Sequence, residues 1–170
     1  MPCRFSTHST AESMRSACSC WRRQARGQVR SGFVSRNNAD ETAKNWYELN
    51  EAAGIDRART LVWNVVPWYI GKESRIRAAN SGDIVKGLPY LRRLLELLPK
   101  LRVMVLVGRK AGRARVSIQE WAPQIEIFEI PHPSPSFVNR GKHHRQLVLQ
   151  GLIEVKKRLD ELADVGNGPG

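Results

Sequence analysis

The sequence predicts an α/β fold: a three-layer α/β/α sandwich in which a short parallel sheet lies between two layers of helices. Three observations carry this. Short β-rich runs alternate with amphipathic helical segments along the chain. Two of those runs, "TLVWNVVPW" and "LRVMVLVG", are almost continuously apolar, as strands buried on both faces must be. The chain has 170 residues and 41% hydrophobic content, enough for one domain with a real core and too much for wholesale disorder.

The elements can be justified in order. Asn38 to Gly54, "NADETAKNWYELNEAAG", combines helix formers, early acids and a glycine stop. Thr60 to Trp68 is a buried strand closed by Pro67, and Tyr69 to Gly82 is a loop. Asp83 to Lys100 places Ile84, Leu88, Leu91, Leu94, Leu95 and Leu98 near helical spacing until Pro99 stops the helix. Leu101 to Gly108 is a second strand, Arg109 to Trp121 a helix, and "QIEIFEI" an alternating third strand. Arg145 to Val165 is a closing amphipathic helix with Leu147, Leu152, Val155, Leu159 and Leu162 facing inward. The domain therefore runs over residues 31–165, with a disordered tail at 166–170.

Net charge is +12 and the pI about 10.4, which favours a polyanionic partner such as nucleic acid. The excess is uneven. Residues 1–36 hold seven Arg and one acid, Glu12, so 7 − 1 = +6, half of the total. All three cysteines, Cys3, Cys18 and Cys20, also lie there, which excludes a disulfide framework or four-cysteine metal site for the main domain. A reducing cytoplasm is the default compartment. No apolar run approaches the roughly 18 residues of a membrane span, so a soluble protein with no membrane partner is expected. The head, residues 1–30, is rich in Ser and Arg and has no periodicity. It reads as an organelle transit peptide or as a disordered basic arm.

Parallel sheets bind ligands beyond the carboxyl ends of their strands, and two such ends carry candidate chemistry. Asn64 sits among Val and Trp. Its amide either bonds nearby backbone or offers a donor and an acceptor to a ligand edge. His132 stands in "IPHPSP", where Pro131, Pro133 and Pro135 restrict the backbone. It is either a surface histidine in a stiff turn or a preorganised electrostatic group. His143 and His144 have no acid or cysteine at ligand spacing, so they are expected to be solvent-exposed and no metal is expected.

The segment "HPSPSFVNRG" resembles the HPSP motif that follows the last strand in the uracil-DNA glycosylase superfamily. "VWNVVPWYIG" resembles that family's strand with a base-reading Asn, "SGFVSRNN" its base-stacking loop, and "VMVLVGRKA" its penultimate strand. All four occur in the family's order. The resemblance implies a hydrolase without cofactor or iron–sulfur cluster, monomeric, that flips uracil out of single- or double-stranded DNA and cleaves its N-glycosidic bond. It implies that Phe33 stacks on the base, Asn64 reads its edge, and His132 stabilises charge on the departing base. Ser134 and Ser136 would grip the DNA backbone, Asn139 and Arg140 would enter or border the groove, and Arg140, Lys142 and Arg145 would attract phosphate.

One part of the family pattern is missing. The family begins with a strand and loop of the type "LLLEAPG", whose acidic or Asn residue positions the attacking water, and nothing in the first 30 residues reads that way. Asp40 and Glu41 look like first-turn helix residues instead. The expectation is thus a first strand lost or garbled, with exposed sheet edges and poor stability. Codons for "CSCWRRQAR" can be chosen so that a shifted frame spells LLLEAPGP, which makes the head readable as out-of-frame translation. Two alternatives stay open: a non-catalytic nucleic-acid-binding relative, and a basic interaction protein with an accidental HPSP loop.

Overall fold

The computed structural model describes residues 17–21, 40–72 and 75–166. In chain order the strands are β1 (Ala17–Trp21), β2 (Thr60–Asn64), β3 (Gly71–Lys72), β4 (Arg75–Ile76), β5 (Val103–Val107) and β6 (Glu126–Ile130). The helices are α1 (Glu41–Ala52), α2 (Ser81–Leu97), α3 (Arg109–Gly112), α4 (Arg115–Trp121), α5 (Pro135–Val138) and α6 (Lys142–Gly166). Four strands form one parallel sheet in the order β2–β1–β5–β6, and β3 and β4 make a small antiparallel ribbon.

Alternate residues of β5 feed two separate cores. Val103, Val105 and Val107 pack with Trp46 and Leu49 of α1 and Val148, Leu152, Val155 and Leu159 of α6. Met104 and Leu106 pack with Ile84, Leu91 and Leu94 of α2 and Ile118 of α4. This period of two, read against helices on both sides, is what a three-layer sandwich requires. The helix starts have local causes. The Asp40 carboxylate accepts from the Ala43 N–H at 2.9 Å to cap α1. Asn80 and Asp83 exchange side-chain and backbone hydrogen bonds in a capping box that starts α2.

Four expectations need correction. The first strand is not lost: Ala17–Trp21 occupies the sheet interior, paired to both β2 and β5. Pairing on both sides satisfies its backbone, and the small Cys18 and Ser19 are buried in a position where larger apolar residues are usual. The strand expected to run to Trp68 ends at Asn64, and Val65 and Val66 stay buried in the turn that follows. Gly87 of α2 lies so close to that turn that a Cβ there would stand 2.0 Å from the Val65 carbonyl oxygen. The helix expected over Arg109–Trp121 is two short helices, α3 and α4. Finally, the closing helix starts earlier, at Lys142. Val148 takes the buried position expected of Leu147, which is half-exposed.

Candidate active site at the strand ends

Chain order and spatial order together locate the site. The chain steps from β1 to β2 on one side, then crosses over to β5 and β6 on the other. A sheet that reverses direction in this way opens a crevice beyond its carboxyl ends. Trp21 is in register with Asn64, and Val107 with Ile130, so the ends of all four strands lie along one edge.

Asn64 is the last residue of β2 and is fully buried. The loop it begins is tied down by side chains. Arg77 grips Asp83 with two hydrogen bonds, at 2.5 and 2.7 Å, and its own N–H donates to the Ile70 carbonyl at 3.0 Å. Lys110 of α3 donates to the Ala79 carbonyl, and Arg113 donates to the Ser81 hydroxyl at 2.6 Å. The Arg77 guanidinium, helped by the Asn80 N–H, lowers the Asp83 carboxyl to about 2.

His132 is half-buried two residues beyond the end of β6. Gly108 supports it from the adjacent strand end. This glycine has φ of +84°, donates its N–H to the Ile130 carbonyl at 2.8 Å, and leaves room that a Cβ would fill to within 2.9 Å of the His132 Cβ. The Ser134 N–H donates back to the His132 carbonyl at 2.9 Å, closing a tight turn around the buried Pro133. The Ser134 and Ser136 hydroxyls lie 3.2 Å apart.

Asn139 caps α5, and it is exposed together with Arg140 and Lys142 at the start of α6. Arg145 stands apart from this group: its guanidinium donates to the Glu48 carboxylate of α1 at 2.9 Å. His143 is exposed as expected, whereas His144 is half-buried with its ring edge-to-face against Phe137 at 4.8 Å. Apolar contact in that position draws the second histidine inward, so the expectation that both are exposed holds for His143 alone. Phe33 lies outside the described residues. Among the described residues no cluster of His, Cys, Asp or Glu is placed to hold a metal. No described helix is long and apolar enough to cross a membrane.

The supports of His132 were the least legible part of the site. Gly108 was visible only as the glycine ending a strand. Asn45, whose amide donates to the Pro133 carbonyl at 3.2 Å, gave no signal because its partner is 88 residues away.

An open parallel α/β sheet with a buried amide and a proline-framed imidazole at its carboxyl edge has the architecture in which strand-end loops can build a ligand site. The chain belongs to the uracil DNA glycosylase superfamily, which matches over residues 23–155. It is also similar to a candidate uracil DNA glycosylase from Methanosarcina acetivorans known from a solution NMR structure. That likeness has a TM-score of 0.53 at 16% identity and covers 85% of this chain and 92% of the other. At that identity it supports the fold alone. No curated protein matches this chain.

Proposed function

We propose that this chain carries a uracil-DNA glycosylase-type site that acts on uracil in DNA and uses no cofactor. The observation that carries the reading is the pairing of buried Asn64 at one strand end with His132 on a stiff loop at another. Both lie within the residues that match the superfamily.

The chemistry follows from these positions. A flipped uracil presents an N–H donor flanked by two carbonyl acceptors along its pairing edge, and the Asn64 amide complements the donor and one acceptor. Cytosine reverses that pattern and is rejected, because a buried amide left with a mismatched edge loses its hydrogen bonds. When the bond from the base nitrogen to the sugar breaks, the electron pair goes to the base. His132 donates a hydrogen bond to the carbonyl on which that charge collects. The water oxygen bonds to the sugar carbon, and its proton ends on the released uracil. Phe33 stacks on the base. Ser134 and Ser136 hold the DNA backbone, Asn139 and Arg140 border the groove, and Arg140 and Lys142 attract phosphate.

A second reading rests on the carboxylates. Among the described residues, four carboxylates are committed elsewhere. Asp40 caps α1, Glu48 holds Arg145, Asp83 holds Arg77, and Glu129 holds Arg115. Without a carboxylate to position water, the same pocket would bind uracil-containing DNA and leave it intact. The decisive assay incubates uracil-containing single-stranded DNA with the wild type, His132→Ala and Asn64→Ala, and measures base release and binding. Release that both substitutions abolish supports the enzyme. Uracil-dependent binding without release supports the non-catalytic relative, and equal affinity for all DNA in all three proteins would sink both.

The segment after β1, "RRQAR", supplies no acid. The shifted frame spelling LLLEAPGP would put leucines into the buried strand and a carboxylate at its end, beside Asn64. Sequencing the gene across Met14 to Ser31 tests this directly. A second frame encoding that strand predicts that the corrected chain is both more stable and active. Its absence favours the binding protein.

A further inference from the structure

We propose that Asn45 of α1 is a positioning residue that fixes the His132 loop through the Pro133 carbonyl. Pro133 is buried and has no N–H, so its carbonyl is its only hydrogen-bonding backbone group. The rings of Pro133 and Pro135 lock φ at both positions, and the Ser134-to-His132 hydrogen bond closes the turn. Proline geometry alone leaves ψ of Pro133 free, and the Ser134-to-His132 bond restrains it by gripping the N–H of the Pro133–Ser134 peptide. The Asn45 amide holds that peptide by its oxygen at 3.2 Å.

The donor sits on a firm base. Trp46 and Leu49 bury α1 in the core shared with β5 and α6, and the buried Asn50 amide ties back to the Trp46 carbonyl at 2.7 Å. One turn along the same face, Glu48 holds Arg145. Helix α1 therefore contacts the chain at Pro133, just after β6, and at Arg145, in the first turn of α6. Gly108 supports His132 from one side, and Asn45 fixes the peptide that follows it. This inference rests on the reading of His132 as the group that stabilises charge on the departing base.

The test uses the full chain labelled with 15N-histidine, which has four histidines, with His132 assigned by its loss in His132→Gln. The imidazole resonances are followed through a pH titration, and affinity for uracil- and thymine-containing single strands is measured in parallel. Asn45→Asp keeps the shape, loses the donor and adds a negative charge that can act on His132 through space, Asn45→Ala removes the side chain without adding charge, and Asn45→Gln keeps an amide on a longer stem. Asn50→Ala weakens the same helix without touching the loop.

A positioning role predicts that Asn45→Asp and Asn45→Ala shift or broaden the His132 signals while those of His143 stay in place. Asn45→Gln recovers them in part, and Asn50→Ala lowers the melting temperature with His132 unmoved. Any uracil preference falls about fivefold in Asn45→Asp, the loss of one net hydrogen bond. His132 signals unmoved in Asn45→Asp, or moved equally by Asn50→Ala, would overturn the proposal. If Asn45→Ala does not fold, Asn45→Leu, neutral and without a donor, takes its place against Asn45→Gln and decides it. Should the His132 signals move as expected while the wild type shows no uracil preference, the positioning role stands and the assigned function of His132 falls.

Discussion

The loops that follow β2 and β6 begin at or carry the two candidate site residues, Asn64 and His132, and they are held by opposite means. The loop after Asn64 is long, and charged and polar side chains bind it: Arg77 on Asp83, Lys110 on the Ala79 carbonyl, Arg113 on Ser81. The loop around His132 is short, and covalent geometry holds it: three prolines, a left-handed glycine beneath it and one amide from α1. The first loop depends on ionisation and is sensitive to pH. The second depends on sterics and is sensitive to a single added methyl group.

The largest expected effect comes from the one place where the β2 loop also depends on sterics. Gly87→Ala places a Cβ 2.0 Å from the Val65 oxygen, so α2 must move away from the Asn64 turn. A loss of about 3 kcal/mol is expected, or ~9 °C in melting temperature. A melt unchanged within a degree would show that the contact relaxes freely.

Next is Gly108→Ala, which sets a Cβ against His132 on a backbone with φ of +84° and should cost about 2 kcal/mol. Uracil affinity should fall by more than the stability loss explains, because His132 itself is displaced. Proportional losses in the two would contradict the steric account of this loop.

Asp83→Asn tests the ionic account. The folded carboxyl is lowered from 3.8 to about 2. A lowered folded value contributes stability above the unfolded value that is lost as pH falls through the folded one. Wild type should therefore exceed the variant by about 1 kcal/mol at neutral pH, discounted because Arg77 is half-exposed, and the gap should close between pH 4 and 2. A gap independent of pH would point to the capping bonds rather than the ion pair.

The smallest effect is expected at Glu48→Gln, which frees Arg145. Affinity for any DNA should rise by about twofold and its salt dependence should steepen. Unchanged salt dependence would show that Arg145 faces no phosphate.

Much of the fold was legible because burial and periodicity coincide in it. β5 reads as a strand buried on both faces, and its five residues are all buried. The leucines of α2 recur at helical spacing, and Leu91 and Leu94 are indeed core. β1 was not legible, since Ala-Cys-Ser-Cys-Trp lacks the branched apolar residues that mark a central strand. Its place comes from pairing with β2 and β5, information that lies far away in the chain. The site divides in the same way. Asn64 and His132 stand out locally as polar residues at the ends of apolar runs. Asn45 and Gly87 matter only through long-range neighbours, and neither carries a local mark.

The placement of β1 also sets a problem of timing. The first of the described strands lies inside the sheet, where Ala17 is flanked by Thr60 and Val103. During synthesis it emerges first and waits for both partners, the second of which lies more than half the chain away. Local helices can form at once, but the sheet can close only after β5 has been made, which is the signature of a slow, high-contact-order folder. Until then an unpaired strand containing Cys18 and Cys20 stays open to other chains. The yield of folded protein should therefore depend on how quickly β5 follows β1 from the ribosome and on reducing conditions during that interval.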